Sequence, residues 1–215
     1  ARENKIKYTL TGGNYSTECC REPEEWGAYP GIDKTLILDI HSKFGNFPLK
    51  TFPIVDVFTS KIYYKYLFGL NVFKPLDLVP YIKNDAESIL EKQFGWKKFQ
   101  HKHHESRFTR FFEDYWLPRK FGFDRRKAHF SSLILTGQMT REKALNRIKT
   151  PELDEHFLER EFEYIAHKLD LTVDELQKIF EGGNKCSQDY KSKRALIEIG
   201  SKLMSFLGLE ERLYK

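Results

Sequence analysis

Beyond residue 105 every periodic apolar stretch repeats at three- and four-residue spacing, whereas before residue 95 that spacing alternates with short extended runs. This change of period divides the chain into an α/β portion over residues 1–95 and an all-helical portion over 96–215. No linker rich in Gly, Pro or Ser separates them, and neither contains a repeat or a low-complexity segment. In the first portion, residues 5–11 predict a short buried strand that runs into Gly12-Gly13-Asn14. Residues 33–44 follow as a helix with apolar side chains at 36, 37, 40 and 44, Asp33 as N-cap and Gly45 as C-cap. Residues 49–52 predict a second strand, 55–68 an aromatic-rich helix, and 71–76 a third strand stopped by Pro75; Asn84 or Asp85 then caps a helix ending at Phe94. The helical portion reads as 105–117, 124–136, 140–148, 154–169, 172–181 and 187–207. A buried parallel strand needs neighbours on both sides, and the first one starts almost at residue 1. We therefore expect the chain to be the C-terminal part of a longer polypeptide.

Composition excludes several classes. With 40% apolar and 15% aromatic residues the chain builds a core and is not disordered. No apolar run approaches the roughly 20 residues needed to cross a bilayer, and no signal segment opens the chain, so the expected setting is cytoplasmic, without a membrane span. Cys19, Cys20 and Cys186 fit neither a disulfide framework nor a zinc ribbon. The charge is unevenly placed. Residues 97–129 hold ten Lys/Arg and four of the seven histidines against Glu105, Glu113, Asp114 and Asp124, while the whole chain carries only +5. Such a run reads either as a site for an anion or as a solvated cationic face. Composition alone leaves both open for His103, His104, Glu105, Arg107, Arg126 and His129.

Phe108, Phe111, Tyr115 and Trp116 read as core, and the isolated His41, His156 and His167 as ordinary surface or core residues. His101, His103 and His104 lack the cysteine or second carboxylate of a tetrahedral set, so no resident metal site is expected from these residues. Gly12 and Gly13 at a strand end would let a ligand approach the backbone, although glycine and asparagine are also ordinary turn formers. Neither a Walker A sequence nor a Gly-x-Gly-x-x-Gly fingerprint is present.

The blocks Thr11-Gly-Gly-Asn-Tyr-Ser-Thr-Glu18, Lys50-Thr-Phe-Pro53, Phe94-Gly-Trp96, His103-His-Glu-Ser-Arg-Phe-Thr-Arg110, Tyr115-Trp-Leu-Pro-Arg-Lys-Phe-Gly122, Asp124-Arg-Arg-Lys-Ala-His129, Ser131-Ser-Leu-Ile134 and Gly137-Gln-Met-Thr-Arg-Glu-Lys-Ala-Leu145 together resemble the N-acetyl sugar amidotransferases. These are PP-loop ATP pyrophosphatases of lipopolysaccharide and surface-glycan biosynthesis. The resemblance spans residues 1–150, in the order of that family's C-terminal two-thirds.

The resemblance implies the C-terminal part of a PP-loop parallel-sheet domain followed by the helical region. It implies ATP with Mg²⁺, ammonia from a partner glutaminase, and conversion of an N-acetyl group on a nucleotide-linked or nonulosonic sugar to an acetamidino group. Thr11, Gly12, Gly13 and Asn14 match the loop beside the adenylate, Glu18 an acidic position near Mg²⁺ or ribose, and Lys74 a phosphate contact. His103, His104, Glu105, Arg107, Arg126 and His129 match the family's most distinctive block as catalytic candidates, with Lys120, Asp124, Ser131 and Ser132 as substrate contacts. The loop Ser-Gly-Gly-x-Asp-Ser is absent from this chain, so these 215 residues alone are expected to be inactive or nearly so. Two other readings compete. One is a tRNA-modifying PP-loop enzyme, disfavoured because the positive charge is clustered rather than spread; the other is a non-catalytic basic binding module, which leaves the glycine loop unexplained.

Overall fold

The computed structural model describes residues 1–27, 33–99, 105–151, 153 and 155–208. In chain order these form β1 (Tyr8–Leu10), α1 (Tyr15–Glu18), α2 (Lys34–Phe44), a first π-helical segment (Thr59–Leu67), β2 (Asn71–Phe73), α3 (Lys83–Phe94), α4 (Arg107–Phe111), a second π-helical segment (Phe112–Phe121), α5 (Arg126–Leu135), α6 (Arg141–Lys149), α7 (Glu155–Lys168), α8 (Val173–Glu181) and α9 (Arg194–Phe206). The fold is mostly helical, and both strands precede residue 95. Contacts group the chain into two compact units drawn from interleaved segments: Ala1–Gly12 with Pro23–Pro75 and Lys185–Lys215, and Gly13–Glu22 with Leu76–Asn184. The boundary expected near residue 95 falls inside the second unit.

In the first unit β1 and β2 pair in parallel, Tyr8 opposite Asn71 and Leu10 opposite Phe73. The ladder is extended by Asn71 N–H donating to Lys7 O (2.8 Å) and Thr11 N–H to Phe73 O (3.0 Å). The expected burial is not found: Tyr8 and Leu10 are each 70% exposed, because the strand has one neighbour and no described element covers its faces. Residues 49–52, read as a strand, bend instead. Pro48 and Pro53 flank that run and cannot donate to a ladder. The strand expected over 71–76 stops at Phe73 and passes into a 3₁₀ turn at Pro75–Asp77. Asp33 caps α2 as the sequence predicts, accepting from Thr35 N–H (2.9 Å) and Leu36 N–H (3.2 Å), and its other oxygen accepts from Lys193 N–H (2.6 Å). The apolar stripe of α9, Leu196, Ile199, Leu203 and Phe206, is exposed.

Among the described residues the second unit has two cores. One joins Phe111, Phe162, Ile165, Ala166 and Leu176, with Tyr115, Trp116, Tyr164 and Leu171 packed around it; the other joins Phe130, Leu133 and Ala144. Phe111 lies 5.2 Å from the Tyr115 ring, 5.7 Å from Phe162 and 6.0 Å from Trp116. Phe108, expected in this core, is instead half exposed and stacks on Phe112, because α4 turns Phe111 inward. Pro118 lies inside the second π segment, where its missing N–H and its ring are incompatible with a regular α ladder. Gly122 then ends the segment in the left-handed conformation at φ 75°.

Candidate functional site

The sequence separates a glycine loop from a basic run, yet in the second unit the chain after Gly13 docks on α5. Asn14 is buried, and its side-chain oxygen accepts from Thr17 N–H (2.9 Å) and the Thr17 hydroxyl (3.1 Å), which starts α1. Ser132 is fully buried on α5; its Oγ accepts from Cys20 N–H (2.9 Å) and donates to Ala128 O (3.2 Å). Thr136 donates to Ser16 O (2.8 Å), as does the Gln138 amide (3.2 Å). Gln138 Oε1 also accepts from Lys83 N–H (2.9 Å), so α3 begins at Lys83 under a tertiary cap, and neither Asn84 nor Asp85 caps it. Gln138 thus joins α1, α3 and the end of α5. Of the residues read as ligand contacts, Asn14 caps α1 and Ser132 ties Cys20 to α5. Ser131 and Glu18 are exposed, and a side-chain carbon added at Gly12 would meet nothing within 4 Å. Thr11, Gly12 and Lys74 belong to the first unit, with Thr11 in the strand ladder and Lys74 half-buried after β2.

Most of the described cations of the basic run have partners far away in sequence. Arg126 donates from Nε to Asp124 Oδ1 (2.9 Å) and from Nη2 to Asp124 Oδ2 (2.7 Å); its remaining N–H groups reach Arg147 O (3.3 Å), Ile148 O (3.1 Å) and Thr150 O (2.9 Å). Its guanidinium therefore closes the C-terminal end of α6. Lys120 does the same for α8, donating to Ile179 O (3.0 Å), Phe180 O (2.6 Å) and Gly182 O (2.7 Å). Arg125 bridges Glu22 and Glu113, and Lys98 pairs with Glu87. Asp124 also accepts from Arg126 N–H (3.1 Å) at the start of α5. These geometries are those of scaffold ties.

Arg107 and Arg110 differ. Both turn toward Glu161 on α7, which is only 2% exposed: Arg107 Nη2 lies 2.5 Å and its Nε 3.1 Å from Oε1, and Arg110 Nη2 lies 3.2 Å from Oε2. The Arg107 guanidinium lies over the Tyr164 ring at 3.4 Å and that of Arg110 over Phe157 at 4.2 Å, so aromatic faces fix both planes. Burial pushes the Glu161 carboxyl up, but hydrogen bonds from Arg107 and Arg110 hold it below its ordinary value, and Glu161 in turn raises that of Arg107. The sequence carries a signal for Glu161 that motif reading passes over. Leu158, Glu161, Phe162 and Ile165 share the inward face of α7, and a carboxylate in an apolar stripe demands a cationic partner.

Glu105 is exposed at the start of this segment and His129 is half-buried on α5 beside Phe130. His103 and His104 lie outside the described residues, as does His101. Among the described residues no group of three or more His, Cys, Asp or Glu could hold a metal ion, and no helix is long and apolar enough to cross a membrane.

Residues 105–204 match the family described as "LPS biosynthesis protein WbpG-like, C-terminal domain". The match begins at Glu105 and runs past residue 150 through α7 and α8 into α9, and so includes Glu161. No curated protein and no solved structure matches the chain.

Proposed function

We propose, on the match of residues 105–204 to the WbpG-like C-terminal domain of LPS biosynthesis proteins, that this chain is the C-terminal part of an ATP-dependent N-acetyl sugar amidotransferase. The family match is the observation that carries the reading, and the motif blocks extend it from glycan biosynthesis to a reaction. The amide oxygen of the sugar's N-acetyl group attacks the α-phosphorus of ATP and pyrophosphate leaves. Ammonia from a glutaminase partner then attacks the activated carbon, AMP leaves with the former amide oxygen, and loss of a proton gives the amidine. An amide oxygen is a poor leaving group until it is esterified to phosphate, so ATP supplies the leaving group.

The Asn14 side-chain oxygen accepts from Thr17 and caps α1. We assign the pyrophosphate-binding loop and Mg²⁺ to the PP-loop portion that the resemblance places upstream. Within this chain the proposal narrows the contact set. Glu105 and Arg107 are exposed and His129 is half-buried, and these, with His103 and His104, are the proposed substrate and proton-transfer groups. Asp124, Lys120, Arg126 and Ser132 support them. Arg125 pairs with Glu22 and Glu113 and Arg126 with Asp124, which takes part of the run's charge away from a tRNA phosphate backbone and favours the sugar reading. The test is AMP release by the full-length protein given ATP, ammonium and a nucleotide-linked diacetamido sugar. AMP release that depends on both sugar and ammonium supports the proposal; release that depends on tRNA instead, or on neither addition, overturns it.

A further inference from the structure

In the second unit two guanidiniums of the basic run converge on one carboxylate. Arg107 and Arg110 share Glu161, and among the described residues neither guanidinium has a second carboxylate partner. Arg110 is mostly buried, with its side chain 18% exposed, and its Nε sits out of solvent without a hydrogen-bond acceptor among the described residues. A buried donor left without a partner is costly, and so is an uncompensated charge taken out of water. The Arg107 side chain is 45% exposed, so the excess charge is reachable from solution.

We infer that Arg107 and Arg110, held side by side by Glu161, form an oxyanion clamp that takes a phosphate group of the substrate. Phosphate is the anion with most to offer two guanidinium planes, because its several oxygens can accept from both at once. Those planes are fixed before any ligand arrives, because Tyr164 lies under one and Phe157 under the other. Glu161 is a positioning residue. It touches no ligand; it removes the rotational freedom of two long side chains and lowers the net charge of the clamp to one. The assignment rests on the amidotransferase reading only for the source of the phosphate, a nucleotide-linked sugar. It adds Arg110 and Glu161 to that site.

The test is calorimetric titration of the whole chain with inorganic pyrophosphate at low ionic strength and neutral pH, without ATP or sugar. The clamp predicts saturable one-site binding that Arg110→Gln weakens about tenfold or more, while Arg119→Gln, in the same basic run but over Tyr115, leaves it unchanged. Should Arg110→Gln fail to fold, Arg107→Lys keeps the charge, loses the fork and is expected to weaken binding as well. Glu161→Gln separates positioning from mere charge. It raises the net positive charge, so a purely electrostatic surface would bind pyrophosphate more tightly; the clamp predicts weaker binding. Competition by UDP-N-acetylglucosamine assigns the site to a nucleotide-linked substrate, whereas a preference for N-acetylneuraminate over pyrophosphate overturns the choice of phosphate. Absence of binding, equal effects of the Arg110 and Arg119 changes, or tighter binding by Glu161→Gln each overturn the clamp. None of these results touches AMP release, so failure here is distinguishable from failure of the amidotransferase reading.

Discussion

Replacing Arg126 with methionine separates scaffold from site most sharply, because the resemblance places Arg126 among catalytic groups and its geometry places it in the frame. The substitution keeps much of the apolar stem and deletes donors that serve Asp124 and the carbonyls of Arg147, Ile148 and Thr150. Hydrogen bonds from a charged donor are worth about 1.5–3 kcal/mol each when removed singly. Five contacts to one guanidinium are not additive, however, and the Asp124 side chain, 16% exposed, recovers some water and keeps the bond from Arg126 N–H. We expect a loss of ~3 kcal/mol. For a chain of this size that corresponds to a fall in Tm of about 6–12 °C, read by scanning calorimetry. The same variant, below its transition, should bind pyrophosphate as the wild type does. A Tm within about 2 °C of wild type together with lost anion binding would refute the scaffold assignment.

Lys120→Met uncovers three carbonyls at the end of α8, and should cost ~1.5–3 kcal/mol in chemical denaturation without altering anion binding. Phe111→Ala empties the centre of the larger core and should cost ~3–5 kcal/mol by the same measurement. Gln138→Ala removes the cap of α3, and amide exchange at Lys83 should speed up measurably while the centre of α7 stays protected. The folded-state pKa of Glu161 lies below its ordinary value near 4.5. The stability it contributes is therefore complete above about that pH and is lost as pH falls through the lowered value. Glu161→Gln should flatten this acid limb of the pH–stability curve; an unchanged limb would show that Glu161 does not carry it.

Helices were the most legible part of the sequence, since an apolar stripe at three- and four-residue spacing implies a buried face wherever that face lies. The span from α5 to α8 follows those stripes closely, and Asp33 caps α2 through purely local hydrogen bonds. What depended on distant partners was not legible. The pattern of β1 gives its extended conformation but not its exposure, which depends on how many strands stand beside it. Lys83 opens α3 because of Gln138, 55 residues away. The basic run misleads for the same reason: composition counts cations but does not reveal that Arg126 and Lys120 close helix ends. Glu161 was readable only as a carboxylate out of place on an apolar face.

The central claim is that ATP activates an N-acetyl oxygen, and the fate of that oxygen tests it most directly. A nucleotide-linked diacetamido sugar carrying heavy oxygen in its N-acetyl groups would be given to the full-length protein with ATP and ammonium, and the AMP examined by mass spectrometry. The account predicts heavy oxygen in AMP, in step with formation of the acetamidino product. Product formed with unlabelled AMP, or sugar left unchanged while AMP appears, would contradict it.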